Sequence, residues 1–374
     1  MGESERRLLL LAGRLDAQSK IDSMRSLLDR LSLQGITATL LCVSTGEGTT
    51  TDDRFVECPR LDHRWQRGWA VRRLRLNEPS RRPELLHVLD TSMSEAGLAI
   101  AEHWGIPYLQ TIDEFLGTRE RLRLSRRWCR KLIAVSRELA IDLEESFRVP
   151  SNLVSVACPG ITAPEPVAPP SASRLAPVPV IGSAGPLVPA SGLATFLNAA
   201  RRVLDAGIDA EFVIAGQGDD EVDLRRRADR LRITDRVTFA SQTLEGFRFW
   251  SVLDVFCLTS LVPTVGLLLS QAMAAGVPSI ASEVVGLHAL IDDDVSGLFV
   301  PPDNSSALAE TILTLINDPE RAYRIGQCGR ETVLREYHPD DEVRQLERIY
   351  RSILSDEDEP AHLASIPIRG RSSF

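Results

Sequence analysis

Few residues in this 374-residue chain have the type and spacing to do chemistry. Gly216-Gln217-Gly218 follows an apolar run that ends at Ala215 and precedes a helical pattern. Glycines placed this way let backbone N–H groups approach a phosphate, and the N-terminus of the following helix favours negative charge. A lone G-x-G equally marks a plain tight turn between a strand and a helix. His87 lies in an apolar run with no second His or paired carboxylate beside it, so it reads as a core residue with its hydrogen bonds satisfied. The six cysteines (Cys42, Cys58, Cys129, Cys158, Cys257 and Cys328) show no C-x-x-C spacing and no neighbouring His at metal-ligand spacing. They read as buried, reduced thiols, and no metal is expected. The sequence shows no Ser/His/Asp set and no P-loop.

A second group is defined by charge. Arg119, Arg121, Arg123, Arg126, Arg127, Arg130 and Lys131 surround Leu122, Leu124, Trp128 and Leu132, with Glu120 the one acid among them. This predicts a basic helix over 119–132. Such a helix either lies on an anionic membrane or a partner, through Arg123, Arg126, Arg127, Trp128 and Arg130, or is a solvated face packed through Leu and Trp. A second basic stretch, residues 60–82, carries Trp65 and Trp69.

The elements that must position these residues alternate. Apolar runs at 8–11, 37–43, 85–89, 108–111, 132–135 and 153–156 read as buried strands, with helical patterns at 21–33, 94–103 and 137–147 between them. After a proline-rich stretch the alternation resumes. Strands are expected at 178–181, 211–215, 237–240, 255–258, 278–281 and 298–300. Helices are expected at 191–206, 219–231, 266–275, 304–317, 319–335 and 339–353. Strand–helix alternation of this kind predicts parallel sheets covered by helices on both faces. The expected organisation is a first Rossmann-like domain over 1–165, a Pro-rich linker over 166–177 and a second Rossmann-like domain over 178–338. A final helix over 339–354 is expected to return to the first domain, and 355–374 to form a flexible tail. Ligands of such open sheets sit at the carboxyl ends of the strands, here in the cleft between two facing domains.

Charge and hydropathy limit the function. The net charge of −9 is uneven: residues 1–160 hold 24 Lys+Arg and 22 Asp+Glu, and the remainder 19 and 30. The acidic second half argues against a nucleic-acid partner. The lysines are Lys20 and Lys131, so none lies beyond residue 131. No apolar run approaches the roughly 20 residues that span a bilayer, and the apolar start breaks at Gly13-Arg14. The expected location is cytoplasmic, at most peripheral to the inner face of the membrane.

The second half resembles the family 4 retaining glycosyltransferases of the GT-B fold. Segment 266–282, GLLLSQAMAAGVPSIAS, is similar to that family's signature, with Ala272-Met273, Gly276 and Pro278 in place. Gly286, Gly297-Leu298, Val300-Pro301-Pro302-Asp303 and Gly329-Arg330 continue the likeness. Segment 185–193, GPLVPASGL, looks like the family's first glycine loop, and Ala215-Gly216-Gln217-Gly218 and Asp254-Val255-Phe256 fit in order. The first half matches more loosely, through Gly105-Ile106-Pro107, Ala134-Val135-Ser136 and Pro159-Gly160-Ile161. The resemblance covers about residues 8–350. It implies two Rossmann-like doubly wound domains and a nucleotide-diphosphate sugar as donor.

The departures concern the donor. The resemblance places an Arg after the first loop's glycine and a Lys five residues on, to neutralise the departing diphosphate. Here Pro186 and Ser191 stand there. It also implies two glutamates spaced E-x7-E, for the transferred sugar and the ribose; these align with Pro263 and Gln271. The acceptor-side histidines align with Leu89 and Asp113, and the Asn before Gly160 with Pro159. The loop glycines Gly185, Gly192, Gly216, Gly218 and Gly266 remain. Two readings follow from the resemblance. One is a non-catalytic or weakly active protein of glycan or glycoconjugate biosynthesis that binds a glycan or an active glycosyltransferase partner. The other is an active retaining enzyme that takes a nucleotide-diphosphate sugar in a rearranged donor site.

Overall fold

The computed structural model describes residues 6–15, 18–46, 52–74, 82–117, 123–125, 127–162, 178–240 and 247–355. The chain divides into two units, Met1–Gly160 with Pro339–Phe374, and Ile161–His338. The 166–177 linker lies outside the described residues, as does the tail beyond Ser355.

The first unit runs β1 (Arg6–Arg14), α1 (Gln18–Leu33), β2 (Ile36–Ser44), β3 (Phe55–Glu57), α2 (Arg64–Arg73), β4 (Leu85–Val88), α3 (Ser94–Trp104), β5 (Tyr108–Ile112), β6 (Cys129–Ala134), α4 (Arg137–Glu145) and β7 (Val154–Val156). Its described strands form one parallel sheet in the order β3-β2-β1-β4-β5-β6-β7. β4 and β5 are buried along their whole length, as strands covered on both faces must be.

The second unit runs β8 (Val180–Ala184), α5 (Leu193–Asp205), β9 (Glu211–Ala215), α6 (Glu221–Arg230), β10 (Val237–Ala240), α7 (Phe247–Trp250), β11 (Val255–Leu258), α8 (Leu267–Ala274), β12 (Ser279–Ser282), β13 (Leu298–Val300), α9 (Ser305–Asn317) and α10 (Pro319–Glu336). Its sheet is parallel in the order β10-β9-β8-β11-β12-β13. In each sheet the strand order reverses beside the first strand, between β1 and β4 and between β8 and β11. Those are the points where such sheets open a crevice for a ligand.

The last described helix, α11 (Pro339–Leu354), packs on α1 in the first unit. Val343, Leu346, Tyr350 and Ile353 recur at helical spacing and are buried in the core around β1 and β2. Burying each such side chain is worth about 1.5–3 kcal/mol. The sheet holds the helix through His87 on β4, whose Nδ1 lies 2.7 Å from the Tyr350 hydroxyl and whose Nε2 lies 2.7 Å from Thr111 Oγ1. Burial pushes His87 down to about 3, so the ring is neutral and structural. The start of α11 is anchored by Glu342, which accepts the Gly160 N–H at 2.8 Å. Gly160 has no room for a side chain, since a Cβ there would lie 2.3 Å from Pro339 Cα.

Several stretches depart from the sequence reading, α7 (Phe247–Trp250), where no element was expected, among them. The basic helix expected over 119–132 is not formed by its described residues. Residues 123–125 are loop, Arg127 and Trp128 form a turn, and Cys129–Ala134 is strand β6. The apolar 132–135 run pairs with β5, and a backbone committed to that ladder cannot also wind into a helix. The Tyr108 N–H donates to the Trp128 carbonyl, and the indole packs near Gly105 at the end of α3. Arg126 and residues 119–122 lie outside the described residues. Conversely, α2 and β3 arise where no element was expected. β3 is three residues long, and α2 is too rich in Arg to show an apolar period.

Candidate functional site

In the second unit the crevice is bounded by the loops after β8 and β11. Both loops are built to approach one another. Gly192 ends the first loop with φ +67°, and a Cβ there would sit 1.9 Å from the Thr259 carbonyl oxygen. Only glycine allows that backbone contact without strain. The Leu261 N–H donates to the Ala190 carbonyl at 2.8 Å, and Thr259 Oγ1 donates to the Ser191 carbonyl at 2.9 Å. On the other flank Gly216 and Gly218 let the turn after β9 pack on the backbone of Gly185 and Leu187. Gly266 caps the start of α8 under Leu287 and Leu290. Gly192, Gly216 and Gly218 thus make close backbone contacts within this loop set, and Gly266 packs against leucine side chains.

The four replaced positions fall on the same loops. Pro186 is exposed on the first loop, and Ser191 closes that loop by donating its hydroxyl to the Pro186 carbonyl at 2.6 Å. Pro263 is exposed on the loop after β11, and Gln271 is partly buried within α8. The surroundings are apolar or acidic. Val188, Leu261, Val262 and Leu267 are each between 36% and 47% exposed, where a charged ligand would meet the loops. No Lys or Arg occurs in residues 185–192, 216–220, 259–266 or 283–287, whereas Asp219, Asp220 and Glu283 do. Helices α5 and α8 begin directly after these loops, and their N-termini contribute positive potential there. Each helix end contributes roughly 0.3–1 kcal/mol toward an anion at its surface.

In the first unit the corresponding crevice lies at the ends of β1 and β4, and it carries a carboxylate pair. Asp90 accepts the Gly13 N–H at 2.8 Å and the Ser92 hydroxyl. Asp113, at the end of β5, accepts the Thr91 N–H at 3.0 Å and the Thr91 hydroxyl at 2.6 Å. Burial raises the Asp90 carboxyl above its usual range, and the charge of Asp113 adds to the rise, against the hydrogen bonds from Ser92 and Gly13. A pair of acceptors of this kind suits the hydroxyls of a polyol or sugar. The sequence reading named Leu89 and Asp113 here but missed Asp90. The signal was available: Asp90 and Asp113 each follow a predicted parallel strand, at the end where ligands bind. Leu89 itself packs against the core.

Among the described residues no group of three or more His, Cys, Asp or Glu could hold a metal ion. No helix among them is long and apolar enough to cross a membrane. Of the residues proposed for a membrane or partner face, Arg123 and Arg127 are exposed, Trp128 is partly buried beneath the Arg127 guanidinium, and Arg130 donates to the Arg127 carbonyl.

Comparison with known proteins agrees with this architecture. Residues 178–318 match the family described as "Glycosyl transferases group 1", and residues 23–163 match "Glycosyltransferase Family 4". The chain is 28% identical over 177 residues to alpha-D-kanosaminyltransferase of Streptomyces kanamyceticus, covering 47% of this chain and 46% of that one. It is also 28% identical over 150 residues to N-acetyl-alpha-D-glucosaminyl L-malate synthase of Bacillus anthracis, covering 40% and 39%. The matched stretch thus spans less than half the length of these curated relatives. Among solved structures, Anabaena HepE in complex with UDP and glucose is similar with a TM-score of 0.75 at 17% identity, covering 93% of this chain and all of that one. Sucrose-phosphate synthase of Thermosynechococcus elongatus gives 0.74 at 19% identity, covering 94% and 99%. At these identities the structures speak for the fold alone, which is GT-B.

Proposed function

The chain belongs to the family 4, group 1 glycosyltransferases, and from that premise we propose that it serves glycan or glycoconjugate assembly without transferring sugar from a nucleotide donor. The observation that carries this reading is the loop from Gly185 to Gly192, where Ser191 bonds Pro186 and no cation stands. A departing diphosphate needs positive charge aimed at it, often the largest catalytic contribution. Hydrogen bonds to charged groups contribute about 1.5–3 kcal/mol each. Two missing cations therefore remove roughly 3–6 kcal/mol, more than two helix termini supply. Asp219, Asp220 and Glu283 act in the wrong direction.

In this reading the carboxylates Asp90 and Asp113 hold the hydroxyls of a glycan, and the partner is an active glycosyltransferase. The setting is the cytoplasm, with contact at the inner face of the membrane. The second reading, an active retaining enzyme with a rearranged donor site, draws its support from the transferase and synthase names of the matched relatives. Calorimetric titration with UDP, GDP and ADP and their glucose or mannose conjugates separates the two. The first reading expects no binding below about 1 mM, which corresponds to −4.1 kcal/mol. Micromolar binding with slow hydrolysis of the sugar nucleotide would establish the second.

A further inference from the structure

Helix α2 presents Trp65, Trp69, Arg72 and Arg73 at i, i+4, i+7 and i+8, which places them along one stripe. The opposite side of the helix, through Ala70 and Val71, is buried. The stripe faces solvent: Trp65 is 95% exposed and Trp69 42%, and Arg72 and Arg73 are exposed as well. An indole is among the largest apolar groups a fold can bury, and the Trp65 ring contributes almost nothing to this one.

The charges are organised around the rings. The Arg73 guanidinium lies 4.0 Å from the Trp69 ring centroid, and that of Arg60 lies 4.5 Å from it. Stacking on an aromatic face holds the cations against the apolar ring instead of in bulk water. The helix contains four Arg and no acid. The nearest acid in sequence, Asp62, sits 4.0 Å from Arg14. The Arg67 guanidinium is turned the other way, toward Glu95 and the Leu61 carbonyl. Among the described residues the outward stripe therefore combines two indoles with positive charge that no carboxylate pairs.

That pairing fits a lipid headgroup layer. Indoles favour the boundary between hydrocarbon and water, and guanidiniums favour the phosphates just outside it. We propose that α2 is a docking face for an anionic lipid surface. Trp65 and Trp69 enter the headgroup layer, and Arg60, Arg72 and Arg73 pair with lipid phosphates. The proposal gives a specific site to the membrane contact of the functional reading, and it holds whether or not a sugar nucleotide binds.

The test is flotation of the full chain with vesicles of phosphatidylcholine alone or mixed equally with phosphatidylglycerol, at low salt. Binding to the mixed vesicles is expected, with little to phosphatidylcholine alone, and it should fall as salt rises. Arg72→Glu with Arg73→Glu should weaken binding by about tenfold or more, since each basic residue near the surface contributes on the order of 1 kcal/mol. Trp65→Ser should weaken it too, and Trp65→Phe should reduce the blue shift of tryptophan emission on binding, Trp69 carrying the remainder. Arg226→Glu, on α6 of the second unit, should bind as the parent does. Unchanged melting temperatures identify variants that fold. No binding of the parent to anionic vesicles, parent-like binding by the Arg72/Arg73 and Trp65 variants, or equal binding to both vesicle types overturns the proposal. Nucleotide titration takes no part in the assay, so failure here leaves the donor reading to its own experiment.

Discussion

The Ser191 hydroxyl donates a 2.6 Å hydrogen bond to the Pro186 carbonyl oxygen, joining two positions five residues apart on one glycine-bounded loop. The Pro186 carbonyl also receives the Val188 N–H at 2.9 Å. Beyond this internal pair, the Leu261 N–H and the Thr259 hydroxyl from the loop after β11 donate to the Ala190 and Ser191 carbonyls.

The first prediction concerns this loop. On the proposed function, the parent binds no nucleotide, and restoring Pro186→Arg, Ser191→Lys, Pro263→Glu and Gln271→Glu together should create that binding. Two charge-assisted contacts of about 1.5–3 kcal/mol each imply a gain of at least 100-fold. Calorimetry with UDP, GDP and ADP measures it. A restored variant as inert as its parent would show that more than these four side chains has been lost.

The second prediction separates packing from backbone strain. Gly192→Ala forces a Cβ into the Thr259 carbonyl at positive φ. It should destabilise the second unit by about 2–4 kcal/mol. Gly207→Ala is also at positive φ, but nothing lies within 4 Å of the added Cβ. Its cost should stay near 1 kcal/mol. Urea denaturation of the full chain compares them, and equal effects would contradict the close approach of the two loops.

The third prediction concerns pH. Burial raises the Glu342 carboxyl from 4.5 to about 7, against the Gly160 N–H and the Arg30 charge. Arg30 on α1 also pairs with Asp340 on α11, and Tyr350 lies on the same helix. A raised carboxyl favours the fold below pH 4.5 and loses that contribution as pH climbs toward 7. His87, lowered from 6.5 to about 3, does the reverse: its contribution is whole above 6.5 and lost toward 3. Between pH 4.5 and 6.5 the two slopes oppose, and stability should be nearly flat. Glu342→Gln removes one slope. It should stabilise the protein at pH 8 by on the order of 2–3 kcal/mol, change little at pH 4.5, and expose a steep acid loss between. Melting temperatures across that range test it; no gain at pH 8 would rule out a strained carboxylate.

The fourth prediction addresses the first unit. Asp90→Asn keeps an acceptor for the Gly13 N–H and should fold normally, while Asp90→Ala leaves that donor without its partner and should cost about 1–3 kcal/mol. If the pair holds a glycan, Asp90→Asn with Asp113→Asn should lose capture on a glycan array that the parent shows. Retained capture would move the glycan elsewhere.

Much of this architecture was legible because its strands are short, apolar and separated by helices of clear period. The loops after β8 and β9 were legible through their glycines, which backbone packing demands at Gly192 and Gly216. Other features were hidden for physical reasons. Asp90 and Asp113 stand 23 positions apart, and only the parallel pairing of β4 with β5 brings them to one edge. Residues 119–132 suggested a helix because Arg and Leu interleave at a spacing that suits one. The apolar residues after Lys131 were instead claimed by the sheet. Helix α2 lacked an apolar stripe to announce it, since its outward side carries the larger rings.

The return of α11 to the first unit also sets an order of assembly. Ile161–His338 is one unbroken segment, complete once His338 has been made. The core around β1 and β2 still lacks Val343, Leu346, Tyr350 and Ile353 at that moment, and His87 still lacks the Tyr350 hydroxyl. On the ribosome the domain that is begun first is therefore closed last. A stalled or clipped chain lacking its final helix would keep a finished second unit beside a first one with an open apolar seam, the kind of surface that chaperones and proteases recognise.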